Sequence, residues 1–202
     1  MNRFIFISAL LLLLGDARAQ DPPAPAASGV GPQQFSRIRL SGSLEPTQDL
    51  GCISGAQVQS THTPPDIFLS AYKCLMAGEF DRAARLTTIA QAFGVFDVAR
   101  LSDPTVRGGP DVLAQRVISQ VPKDKLNGLV AALRTAKSDP ATNDDLCNDL
   151  RRTGPPTYYP KYLVLHGLAA YNQQTTPENS LRAPFDARSV WDAYLQKAVR
   201  CK

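Results

Sequence analysis

From Pro65 to the end of the chain, apolar residues recur at steps of three and four between proline and glycine breaks, a spacing that places them on one side of a helix and not of a strand. Asp66 is placed to cap a helix in which Ile67, Ala71 and Leu75 share a face, with Phe68 and Tyr72 beside them and Gly78 as the stop. Phe80, Ala83, Leu86, Ile89, Ala90 and Phe93 form the next face, which Gly94 punctuates. Asp103-Pro104 reads as a cap with a first-turn proline, interrupted by Gly108-Gly109-Pro110. Leu113, Val117 and Val121 follow, then Leu126, Leu129, Val130 and Leu133. Thr142-x-x-Asp145 has the form of a capping box leading into Leu146, Cys147 and Leu150. Tyr162 to Tyr171 is dense in apolar residues, and Asp186 caps a last helix with Val190, Trp191, Tyr194, Leu195 and Ala198. The expectation is an all-α domain over residues 65–202: a compact bundle of about six or seven helices, stacked as helical hairpins.

The chain ahead of that domain has no such period. Residues 37–64 carry Gly42, Pro46, Gly51, Gly55 and Pro64. Arg37 to Ser41 alternates polar and apolar, but a lone strand would have no partner, so an extended irregular arm packed on the domain is expected. Residues 20–36 are rich in Pro, Ala and Gly and are expected to be a disordered tether. Residues 1–19 read as an export leader: Arg3, an uncharged apolar run from Phe4 to Leu14, and Ala17-Arg18-Ala19 before a cleavage at Gln20. That run is short of the roughly 20 residues a membrane span needs. A periplasmic or secreted protein is expected, with no membrane insertion after leader removal.

The four cysteines, Cys52, Cys74, Cys147 and Cys201, are then expected to form two disulfides. Three pairings are possible, and closure of sequence-local loops favours Cys52–Cys74 with Cys147–Cys201. A zinc site is disfavoured, because no Cys-x-x-Cys occurs and the histidines are two, His62 and His166. The formal charge is +4, from 22 basic and 18 acidic residues, and losing Arg3, Arg18 and Asp16 with the leader leaves 20 against 17. That balance is too mild to imply nucleic acid.

Candidate reactive groups are few. Ser70-Ala71-Tyr72-Lys73 matches the Ser-x-x-Lys pattern, in which one helical turn sets an amine beside a hydroxyl, yet its companions Lys-Thr-Gly and Ser-Asp-Asn are missing. His62 lies in an irregular Thr-His-Thr-Pro loop and is expected to be solvated. His166, inside Leu163 to Leu168, is expected to be a core histidine beside a close approach at Gly167. Of the three glutamates, Glu45, Glu79 and Glu178, the last two sit at helix starts, and Asp66, Asp103, Asp145 and Asp186 read as caps, not as a catalytic pair; Asn143-Asp144-Asp145 with Asp149 lacks the glycine and glutamate of a calcium loop. No cofactor and no metal are expected.

The stretch Pro155-Pro156-Thr157-Tyr158-Tyr159-Pro160-Lys161-Tyr162 stands out. Prolines hold it extended, two adjacent tyrosines cannot both turn inward, and exposed tyrosine is favoured at interfaces. Arg151 and Arg152 add a basic edge. Tyr158, Tyr159, Lys161, Arg151 and Arg152 are therefore the expected binding residues for a protein partner.

Residues 68–93, with Gly78-Glu79-Phe80-Asp81-Arg82-Ala83 and Ala90, resemble a single tetratricopeptide hairpin, although Val95 stands where that family's closing proline would fall and no repeat follows. The resemblance implies side-by-side helical hairpins of a kind that commonly bind proteins. The functional expectation is an exported, non-enzymatic protein that binds another protein in the bacterial envelope, in an inhibitor-like, immunity-like or adaptor role. The alternatives are a small envelope hydrolase using Ser70 and Lys73 or His166, and a small-ligand carrier.

Overall fold

A computed structural model describes residues 40–202. The expected leader, the tether and the first residues of the arm, up to 39, lie outside the described residues.

The described chain is all-α. Helix α1 (Pro64–Met76) starts two residues before the expected cap. Thr63 is the true N-cap, and Asp66, in the third helical position, completes a capping box with it. Two prolines occupy the first turn, where a missing N–H costs nothing. Gly78, at φ +85°, ends the helix as the left-handed cap the sequence predicts, its N–H bonded to the Leu75 carbonyl. Helix α2 (Phe80–Arg100) turns back against α1 and supplies the centre of the core with Leu86, Ile89, Ala90, Phe93 and Phe96.

Gly94 does not break α2. A Cβ there would lie 3.0 Å from the Pro110 side chain, so the glycine serves the approach of the next helix. After a 3-10 turn (Pro104–Gly108) capped by Asp103, α3 (Gly109–Ile118) crosses at this point. Helix α4 (Lys123–Ser138) lays Gly128 on the Phe80 ring, and α5 (Pro140–Thr153) runs back beside it. Asp139 caps α5, accepting the Thr142 N–H at 3.1 Å, so the start falls ahead of the box expected at Thr142.

The apolar stretch from Tyr162 to Tyr171 is not one helix. It divides into single turns, α6 (Lys161–Val164) and α7 (Leu168–Tyr171). The break has a tertiary cause: buried Gly167 is extended, and the Thr105 hydroxyl and Asp103 carboxylate accept the N–H groups of Leu168 and Ala169 at 2.9 and 3.0 Å. A third single turn, α8 (Pro177–Ser180), precedes α9 (Ala187–Tyr194), which is capped by Asp186 as expected and runs into a π turn, Leu195–Val199. Among the described residues there are thus six helices of eight residues or more and three single turns.

Both disulfides follow the sequence-local pairing, Cys52–Cys74 and Cys147–Cys201. The first ties the arm to α1 and the second ties the C-terminus to α5. The arm is irregular, and Asp66 holds it: its carboxylate accepts the N–H groups of Thr47 at 2.7 Å and Gln48 at 3.1 Å. Trp191 of α9 is buried edge-on against Phe93 and Phe96. No described helix is long and apolar enough to cross a membrane.

Candidate functional site

The five expected binding residues do not form one surface, because the adjacent tyrosines are pulled apart. Pro156 and Pro160 frame an extended segment that lies over the C-terminal end of α2. There Asp97, wholly buried, accepts hydroxyls from Tyr158 at 2.8 Å and Tyr162 at 2.7 Å and pairs with Arg100 at 2.6 Å. Arg100 in turn lies between the rings of Phe96 and Tyr158, 5.4 and 5.1 Å from their centroids. Burial drives the Asp97 carboxyl above its ordinary range, against the Arg100 charge and the two hydroxyls. Burial and the neighbouring Asp97 push both phenols well up. Tyr158 is half-buried, and its phenol anchors the segment to α2. Nothing in the sequence reading singled out Asp97, although an aspartate within Phe93-Gly94-Val95-Phe96-Asp97 is a visible signal.

Tyr159 points the other way. It is 38% exposed, and its hydroxyl meets Ser180 at 2.8 Å. Ser180 and Arg182 bond across to Ser102 and Arg100, making an antiparallel bridge between Leu101 and Leu181. The same connector, from Leu101 to Thr105, holds the start of α7. Leu168, Tyr171 and Leu181, at 59, 47 and 39% exposure, are therefore presented with Tyr159 from one assembly. These four belong to the nine large hydrophobics that are exposed among the described residues, and they fall within a single stretch, 159–181. Lys161 and Arg182 are exposed within it. Asp103, beneath, is raised by burial, but the Thr105 hydroxyl and the N–H groups of Thr105 and Ala169 outweigh that and lower it.

Arg151 and Arg152 lie at the C-terminal end of α5, away from this assembly in their bonds. Arg151 donates to the Lys202 carbonyl, and Arg152 to the Gly55 carbonyl at 3.0 Å and toward Asp149. Tyr159 and Lys161 thus share the stretch 159–181 with the exposed Leu168, Tyr171 and Leu181, which no local pattern in the sequence marks.

The hydrolase groups are not brought together. Ser70 is buried under the arm, its Oγ accepting the Ile53 N–H at 3.2 Å, while Lys73 pairs with Asp49 at the surface. His62 is not solvated: it is buried, its Nδ1 accepts the Gln59 N–H at 3.2 Å, and burial lowers its pKa against the pull of Asp66. His166 is half-buried in the turn between α6 and α7 rather than within a helix. No grouping of three potential metal-binding side chains occurs among the described residues.

A separate groove of about 380 Å³ lies between α2, α4 and α5. Ala132, Ala136 and Leu146 line it, with the hydroxyls of Thr88, Thr135 and Thr142, and Arg85 bonds Asp145 and Asp149 at 3.2 and 3.3 Å beside it. Comparison with family models, with curated proteins and with solved structures gives no significant match.

Proposed function

We propose that this is an exported, non-enzymatic protein that acts by binding another protein in the bacterial envelope, in an inhibitor-like, immunity-like or adaptor role. One observation carries the reading: Tyr159, Leu168, Tyr171 and Leu181 are held exposed on an irregular segment that buried bonds fix to α2 and its connector. Large apolar side chains grouped at a surface and held in place lower the ordering cost of association. The two disulfides fit an oxidising compartment outside the cytoplasm. A photoreactive amino acid placed at Tyr159 or Tyr171 in the exporting cell should give one discrete adduct, and none from Val130 on α4. Failure at both tyrosines, or an equal adduct from Val130, would reject the reading.

The groove between α2, α4 and α5 supports a second reading, a small-ligand carrier, since its volume is in the range of small-molecule sites. Native mass spectrometry of protein purified from its own host would then show a bound metabolite, displaced by Ala132→Phe.

A further inference from the structure

We propose that His62 is an acid-sensitive latch on the segment that presents Tyr159: a proton added to its imidazole opens the Gln59–His62 turn and releases Thr157, so partner binding weakens as the surroundings acidify. The effect on binding rests on the protein-binding reading above; the latch itself rests on bonds within this chain. His62 is buried, and its Nδ1 accepts the Gln59 N–H at 3.2 Å. A backbone N–H can only donate, so Nδ1 is the bare nitrogen and the ring proton sits on Nε2. In the imidazolium both nitrogens carry protons, and at Nδ1 two donors then face each other. The turn loses that bond and keeps the one from the His62 N–H to the Gln59 carbonyl at 3.0 Å.

The turn is one of the two ties on the segment. The Ser60 carbonyl accepts the Thr157 N–H at 2.9 Å and the Thr157 hydroxyl at 3.3 Å, and the Ser60 and Thr157 hydroxyls meet at 3.2 Å. Thr157 is two residues from Tyr159. The tie to α2, made by Tyr158 on Asp97 and by Arg100 on the Pro156 carbonyl, responds to acid with the opposite sign, since burial raises the Asp97 carboxyl. The charged groups around the turn do not offset an imidazolium. Asp66 on α1 pulls the His62 pKa up, yet burial prevails and lowers it. The Asp66 carboxylate already accepts from Thr47, Gln48 and Thr63, so turning it toward an imidazolium would cost the α1 cap or the hold on the arm. On the other elements that meet this loop the charges are paired: Asp149 with Arg85 and Arg152 on α5, Asp97 with Arg100 on α2, and Asp49 with Lys73 between the arm and α1. A group lowered in the closed turn favours the open one as pH falls through its ordinary value.

The test is hydrogen exchange of the full disulfide-bonded protein at about pH 7.5 and about pH 5.5, on either side of the ordinary imidazole value, with each rate divided by its intrinsic chemical rate. Protection of the Gln59 and Thr157 amides should fall several-fold in acid, while the amides of α2 hold theirs. His62→Gln, which keeps an acceptor that takes no proton, should show no such fall. Unchanged protection in the wild type, or an equal fall in His62→Gln, would overturn the latch. If that variant does not fold, nuclear magnetic resonance of the wild type decides: the Thr157 amide shift should follow the titration of His62, and a shift that follows His166 or neither histidine overturns the latch. Adducts from a photoreactive group at Tyr159 should fall in acid in step with Thr157 protection. Adducts that persist while Thr157 is released would overturn the control of binding. Absence of adducts at both pH values would reject the protein-binding reading, and the exchange result would still decide the latch.

Discussion

Replacing Asp97 by Asn leaves Arg100 buried without a counter-charge and weakens two phenolic hydrogen bonds at once. Removing one partner of a buried ion pair costs about 3–5 kcal/mol, so Asp97→Asn should unfold at far lower urea, followed by the fluorescence of Trp191. Tyr162→Phe should cost less, about 1.5–3 kcal/mol, since one bond to a charged group is lost. The pH dependence has a definite sign. Burial raises the Asp97 carboxyl in the folded state, so its contribution to stability is complete below the ordinary carboxylate range and is lost as pH rises through the raised value. His62 acts in the opposite direction: burial lowers its pKa, so its contribution is present above the ordinary imidazole value and fades as pH falls. These residues also mark where the sequence is hard to read. Tyr158 and Tyr159 are neighbours of identical chemistry, and what separates them is an acceptor 61 residues away on α2.

Among the elements, periodicity makes the long helices legible, because each buries a stripe regardless of its neighbours. The boundaries are less so. Asp66 reads as an N-cap, yet Thr63 and the two prolines start α1 earlier, which frees the Asp66 carboxylate to hold the arm. Gly94 reads as a stop, but its missing side chain answers to Pro110 on another helix, and the continuation of α2 carries Asp97 and Arg100. The apolar run after Tyr162 is cut into turns by side chains of Asp103 and Thr105, a contact no local pattern contains. The arm's dependence on one carboxylate is testable. Asp66→Ala removes half of the capping box and the acceptor for Thr47 and Gln48, a loss of about 3 kcal/mol if two charged hydrogen bonds of about 1.5 kcal/mol each disappear. Amide exchange at residues 44–53 should accelerate more than in α2, and equal acceleration in both would mean the arm and hairpin open together.

For the molecule as a whole, the two disulfides do different work. Cys52–Cys74 closes 22 residues and binds the arm to α1, whereas Cys147–Cys201 closes 54. The larger loop contains the whole of the segment that presents Tyr159, Leu168, Tyr171 and Leu181, held at one end by α5 and at the other by α9 with its buried Trp191. Loop-closure entropy makes the bridges worth roughly 3 and 4 kcal/mol respectively. The pairing is readable as a preference for local closure, but the enclosure of the exposed face is not, since that face includes residues with no sequence signature of exposure. Cys147→Ser/Cys201→Ser should therefore lose more stability than Cys52→Ser/Cys74→Ser. More specifically, at a temperature where circular dichroism shows both variants folded, the first should lose partner adducts from Tyr159 and the second should keep them. The reverse order would mean that the arm, and not the enclosed segment, forms the working surface.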